Sequence, residues 1–276
     1  MATTDFSARR AAFRKLHESG CFVIPNPWDV GTARYLRHLG FPALATSSAG
    51  FAFSRGLADA EVSRDQMLSH IAEIVASTDL PVNADFESGY AQQPEGVAEN
   101  VRMCVETGVA GLSIEDSTGD RAQPLYDLPV AVERMKAARK AIGDSGVLLI
   151  GRAECFLVGH AEPLKESIRR LQAYAEAGAD VLYAPGVRER RDIEAIVSAV
   201  SPKAVNVLMS ANIGLKVPDL AELGVRRISV GSSLARAAWG GFIRAAKDIA
   251  EGSFAGFDTC APFAELNGFF RDDRKR

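Results

Sequence analysis

Residues 106–116 read ETGVAGLSIED: the end of a helix, a glycine, a short link, and an apolar run that closes on two acids. Gly108 suits the left-handed position just past a helix C-terminus, where a missing Cβ removes the steric penalty. The same punctuation recurs in HLGFPALATSS (38–48), EAGADVLYAPG (176–186) and ELGVRRISVG (222–231), with Gly40, Gly178 and Gly224 in the equivalent place. The runs that follow are nearly continuous in apolar residues, as expected of strands covered on both faces.

Working outward, four more strands fill the gaps: CFVIPN (21–26), LPVNADFE (80–87), VLLIGRAE (147–154) and AVNVLM (204–209). Helical periodicity separates the eight strands, over roughly 29–39, 61–78, 94–107, 130–143, 163–177, 189–200, 217–223 and 233–251. Strands alternating with helices call for a parallel sheet, and eight such units in about 250 residues predict an α/β fold of the (β/α)8 TIM-barrel type. A doubly wound sheet is the alternative, but no GxGxxG follows the first strand. Pro27, Pro129, Pro163 and Pro218 are expected at helix starts, where a missing N–H is harmless. No linker or low-complexity stretch interrupts the pattern. Residues 1–276 are therefore expected to form a single barrel domain, with an N-terminal helix at about 5–18 and a helical tail at about 233–270.

Hydrophobic content of 47% and charged content of 24% are globular values. No apolar run is long enough to span a bilayer, and the N-terminus reads as an amphipathic helix without the apolar core of a signal peptide. The expected location is cytoplasmic. The net charge of −3, with both signs mixed, leaves no basic footprint for nucleic acid. Cys21, Cys104, Cys155 and Cys260 are widely spaced and form no CxxC pair, so reduced thiols are expected. The aromatic segment AGFDTCAPFAELNGFF, followed by RDDRKR, packs either on its own barrel or on a neighbouring subunit.

In a barrel of this kind the chemistry lies at the C-terminal ends of the strands. The third strand ends in PVNADFESGY (81–90), placing Asp85 and Glu87 two apart and hence on one face. Two like charges held close need a proton or a cation. The fourth strand adds Glu115 and the fifth Arg152; the first ends in Asn26, Trp28 and Asp29, the second in Ser47 and Ser48, and the seventh carries Asn206. Hard oxygen donors with no His or Cys nearby suit Mg2+, or Mn2+. An Arg fork matches a carboxylate, and metal plus Arg is what a 2-oxo acid needs if an enolate is to form. Plainer readings stand beside these. Acids at strand ends often cap the next helix; Arg152 could be a structural ion-pair partner; Ser47 and Ser48 could be turn residues or could offer N–H groups to an anion. Asp116 faces away from Glu115 and is expected to be structural, and Glu154 is expected to support a neighbouring group.

NPWDVGTAR, TSSAGFAFSRGLAD, PVNADFESGY, GLSIEDS and GRAECF occur in this order. Together they resemble the isocitrate lyase/phosphoenolpyruvate mutase superfamily, over about residues 20–235. The resemblance implies a barrel whose last helix is swapped between subunits in a homo-oligomer, a dimer of dimers (homotetramer). It implies Mg2+ held directly by Asp85, with Glu87 and Glu115 acting largely through bound water, and Arg152 on the substrate carboxylate. Ser47, Ser48 and Ala49 match the segment that holds the oxo acid, and Asp59 matches the acid that serves the reacting group of the phosphonate-forming members. Asp59 could equally cap helix 61–78. The loop STGDRAQPLYDL (117–128) departs from the pattern: it has no Cys, His or Lys where the isocitrate-type lyases carry a Lys-Cys-Gly-His loop. The expected function is a Mg2+-dependent carbon–carbon lyase or decarboxylase for a small, oxaloacetate-like 2-oxo acid, working through a metal-stabilised enolate. Asp59, Arg152 and Glu115 are the expected catalytic residues, and Ser47, Ser48, Ala49, Arg152, Asn206 and Tyr90 the expected substrate contacts. The alternatives are phosphonopyruvate or carboxyphosphonopyruvate chemistry and a non-catalytic oxo-acid binder; neither nucleic acid nor membrane is an expected partner.

Overall fold

A computed structural model describes residues 5–273. The last three residues of the charged C-terminal run, 274–276, lie outside the described residues. Eight parallel strands run β1 (Phe22–Ile24), β2 (Leu44–Ala45), β3 (Val82–Asp85), β4 (Gly111–Glu115), β5 (Leu148–Arg152), β6 (Val181–Tyr183), β7 (Ala204–Leu208) and β8 (Arg227–Ser229). They pair in the order β1-β8-β7-β6-β5-β4-β3-β2. A backbone hydrogen bond from Ala45 N to the Pro25 carbonyl, 3.0 Å, links the two end strands. The sheet is thus a nearly closed (β/α)8 barrel.

Helices α1 (Ser7–Leu16), α2 (Val30–His38), α3 (Ser48–Ser54), α4 (Arg64–Ser77), α5 (Pro94–Glu106), α6 (Leu128–Ile142), α7 (Pro163–Glu176), α8 (Arg190–Val200), α9 (Val217–Glu222) and α10 (Ser233–Ala250) alternate with the strands. Gly40, Gly108, Gly178 and Gly224 all take positive φ between helix and strand, as the repeated punctuation requires. Pro129, Pro163 and Pro218 stand in the first turns of their helices. Pro27 does not: α2 begins at Val30, behind an Asp29 cap whose side chain accepts from Thr32 N at 2.7 Å.

Two apolar layers follow from the alternation. The larger lies between strands and helices; the smaller fills the barrel interior with Phe22, Ile24, Leu148, Ile150 and Val181. Phe13 of α1 joins the interior layer, fully buried, and burial of such a side chain stabilises by about 1.5–3 kcal/mol. Gly111 makes room for it: a Cβ there would stand 2.7 Å from the Phe13 ring and from Asn83 Oδ1.

The chain divides into two compact units, to Ser232 and from Ser233. The first contains all eight strands. The second comprises α10, a 3-10 turn (Ala255–Thr259) and α11 (Phe263–Asp273). Trp239 and Phe242 meet edge to face at 5.4 Å in α10, yet Phe242, Phe254 and Phe263 remain 62%, 69% and 85% exposed.

Candidate active site

Asp85 ends β3 with its backbone N–H on Thr46 Oγ1 at 2.9 Å. Its Oδ2 accepts from the Ser48 backbone N–H at 2.9 Å and from Ser48 Oγ at 2.8 Å. Its Oδ1 lies 3.3 Å from Arg152 Nη1. Register explains the meeting: Glu115 on β4 and Arg152 on β5 are direct ladder partners, and Glu115 Oε2 is 3.1 Å from the same Nη1. Arg152 Nε donates to Glu154, and the Tyr183 ring lies 5.4 Å from its Cζ. One half-buried guanidinium is thus forked among three carboxylates. Although burial opposes its charge, Glu115 and Glu154 hold Arg152 well above the usual range.

Glu154 is itself supported. Its backbone N–H donates to Asp116 Oδ1 at 2.8 Å, and Asp116 Oδ2 accepts from Arg170 at 3.0 Å and from the Tyr174 hydroxyl at 2.6 Å. Asp116, buried and turned away from Glu115, is structural.

A cavity of about 180 Å3 opens among these groups, room for about six waters at ~30 Å3 each. Its wall includes Ser47, Ser48, Ala49, Asp59, Asp85, Arg152 and Asn206. Glu87, Glu115 and Tyr90 are not part of that wall. Several expected roles look different in detail. Ser47 caps α3, a helix that the sequence pattern does not announce, by accepting from Gly50 N at 3.1 Å. Ser48 spends both its donors on Asp85. Asp59 lies on the wall but does not cap α4; Ser63 does, in a capping box with Gln66. The alternation that put Asp85 and Glu87 on one face stops at Asp85, because Glu87 has a left-handed backbone with φ 46°. Glu87 instead accepts from the Tyr90 hydroxyl at 2.9 Å. Asn206 accepts from Arg227 at 2.9 Å and donates to Ser229 Oγ at 3.0 Å.

The sequence reading missed two arginines. Arg134 of α6 is fully buried and donates to the carbonyls of Ser88, Ala91 and Gln92, tying down the turn that carries Glu87 and Tyr90. Its guanidinium also lies 4.0 Å over the Tyr126 ring. Arg227, at the start of β8, lines the cavity. The loop after β4 is a small hairpin, pinned by a Ser117–Leu125 bridge. Arg121 stands on its exposed tip, outside the cavity wall.

Charge decides what the site can hold. Burial, then Asp85, raises Glu87 to about 7. Burial also raises Asp59, Glu115 and Glu154, with neighbouring carboxylates adding to each. Five acids thus surround Arg152, and every donor is a hard oxygen. Among the described residues no three acid, His or Cys side chains are placed to ligate one ion directly. Oxygen donors of this kind suit a hard cation such as Mg2+, which keeps several of its waters. Because Glu87 retains its proton up to about 7, Mg2+ affinity should rise as pH increases from 6 to 8, with protons released on binding. Calorimetry in two buffers of different ionisation enthalpy would measure that release; a pH-independent affinity would contradict the electrostatic picture.

Residues 13–250 match the phosphoenolpyruvate phosphomutase family, almost the whole chain. The chain belongs to that family. A crystal structure from Burkholderia cenocepacia J2315, described as a candidate lyase/mutase, is 46% identical, with 96% of each chain covered and a TM-score of 0.91. The oxaloacetate decarboxylase of Pseudomonas entomophila (strain L48) is 32% identical over 80% of this chain and 78% of its own length. A phosphonopyruvate hydrolase solved with oxalate and Mg2+ is 25% identical, covering 96% of this chain and 97% of that one, with a TM-score of 0.83. Membership of this family of lyases and mutases makes the chain an enzyme of carbon–carbon lyase type.

Proposed function

We propose that the chain is a Mg2+-dependent lyase of the decarboxylase type, acting on a small oxaloacetate-like 2-oxo acid. The carrying observation is the cavity of about 180 Å3 in whose wall Asp59 and Asp85 stand beside Arg152, a guanidinium already shared by Glu115 and Glu154. The Pseudomonas decarboxylase and the oxalate–Mg2+ complex of the hydrolase support the same chemistry. Asp85 would hold the ion directly, with Glu87 and Glu115 reaching it through water; Mn2+ would serve in its place. When bound, the ion supplies the electron sink at the 2-oxo group.

The chain's own residues do the rest. Arg152 orients the substrate carboxylate, and Ser48 fixes the Asp85 carboxylate through two donors. The bond to the departing carboxylate breaks, its electron pair moves to the 2-oxo oxygen, CO2 leaves, and the enolate takes a proton at carbon. The loop 117–128 offers no Cys, His or Lys to give that proton, so water delivers it; the Glu87–Tyr90 pair, which holds a proton near pH 7 but lies outside the cavity wall, acts only through such a water. The missing thiol disfavours isocitrate-type cleavage, which needs an acid at the departing enolate.

Purified protein incubated with oxaloacetate should form pyruvate faster with Mg2+ than a protein-free Mg2+ blank does. Turnover no faster than that blank would contradict the reading. Asp59 on the cavity wall favours a second reading, carbon–phosphorus chemistry on phosphonopyruvate. In that case Asp59→Ala should abolish phosphate release, and activity retained in that variant would remove the idea. Binding without turnover of any of these acids would instead mark a non-catalytic binder. The exposed Phe242, Phe254 and Phe263 support one further part of the reading, that the last helix and tail seat on a second copy in a dimer of dimers. Light scattering would test it.

A further inference from the structure

Arg227 is 3% exposed and stands in the wall of the cavity. Its partners are two neutral amides: Nε donates to Asn206 Oδ1 at 2.9 Å, and Nη1 lies 3.4 Å from Asn83 Oδ1. Among the described residues no carboxylate pairs with it. His17 of α1 lies close enough to feel its charge but offers no counter-charge: burial, then Arg227, pushes that imidazole down to about 3, so it is neutral. A guanidinium buried among amides is costly unless an anion joins it. Arg152 is the opposite case, a cation with three acids already on it. Both guanidiniums line the same cavity of about 180 Å3, with Tyr183 also in its wall.

We infer that Arg227 is the floor of the substrate site and binds a second carboxylate, so that the preferred ligand is a 2-oxo dicarboxylate and not a 2-oxo monocarboxylate. This rests on the oxo-acid reading above and adds a residue and a selectivity to it. The two fixed forks, one at the mouth and one on the floor, set the length of acid that fits. Arg suits the floor because it stays charged in a dry site where a Lys would shed its proton.

Rapid-mixing binding measurements with Mg2+ present, read before oxaloacetate is turned over and with pyruvate as the second probe, test the inference. The wild-type protein should bind oxaloacetate at least ~10-fold more tightly than pyruvate, the difference made by one charged fork. Arg227→Gln should weaken oxaloacetate binding roughly 10- to 100-fold while pyruvate affinity changes by no more than about 2-fold. Arg227→Lys should lose less, and its melting curve guards against a folding defect in the Gln variant. A wild-type ratio near one overturns the inference without any variant. So does an equal loss of both ligands in Arg227→Gln, and in both cases the oxo-acid reading stands. A wild-type protein that binds neither acid overturns that reading and the floor assignment together.

Discussion

Asp85→Ala should cut Mg2+-dependent turnover of oxaloacetate by about 10^3-fold or more, on the scale of losing a principal electrostatic group, while the protein still folds. Asp85 is the acid on the cavity wall that also touches Arg152, so no neighbour can take its place at the ion. Its removal frees the Ser48 backbone N–H and hydroxyl, and Ser48 stands on the cavity wall, where water can take the place of the lost carboxylate. It also removes one charge from a set of acids that repel one another. After burial, Asp85 is the largest cause raising Glu87. The variant should therefore titrate Glu87 below 7, readable by carboxyl NMR. Steady-state kinetics and a melting curve measure the rest. Activity within 10-fold of wild type would show that the ion, if used, is held elsewhere.

Arg152→Met should damage both activity and stability. Burying one partner of an ion pair alone costs about 3–5 kcal/mol, and here three acids lose their single counter-charge. The sign of the pH effect follows from the acids. Arg152 is the group that most lowers Glu115 and Glu154, and it also lowers Asp59 and Glu87, behind the hydrogen bonds these accept from Ala60 N–H and the Tyr90 hydroxyl. Without it their folded values climb further above the unfolded value of about 4.3. A carboxyl raised on folding binds more protons in the folded state, so stability is gained as pH falls and lost as it rises through the folded value. The variant should thus melt well below wild type at pH 8, with the gap narrowing toward pH 5. Saturating Mg2+ should narrow it as well, by replacing part of the lost positive charge. A gap independent of both pH and Mg2+ would mean that Arg152 acts by packing alone.

The strand and helix pattern was legible because both elements are long in period and short in punctuation. Gly108 and its three counterparts mark turns that only a residue without Cβ enters easily, and the apolar runs between them are too continuous to be surface. The site was legible in its outline: Asp85 and Arg152 end strands that the barrel brings to one mouth. What escaped the reading did so for local reasons. Glu87 follows the last paired residue of β3, and a left-handed turn cancels the two-residue alternation there. SSAGFAFS is too short and too rich in small residues to show helical periodicity, so the sequence announces no helix where α3 stands. Arg134 sits on a helix with other cations, and nothing in its spacing says that it reaches three carbonyls. Arg227 was absorbed into the link before strand 8. The available signal was its place two residues before Ser229, on the strand face that looks inward.

A crystal of the protein grown with Mn2+ and oxalate tests the central claim most directly. The account expects one anomalous peak at the barrel mouth, about 2.0–2.2 Å from a carboxylate oxygen of Asp85, with oxalate against Arg152. A barrel mouth without a peak, or an ion bound away from Asp85 with oxalate elsewhere, would contradict it.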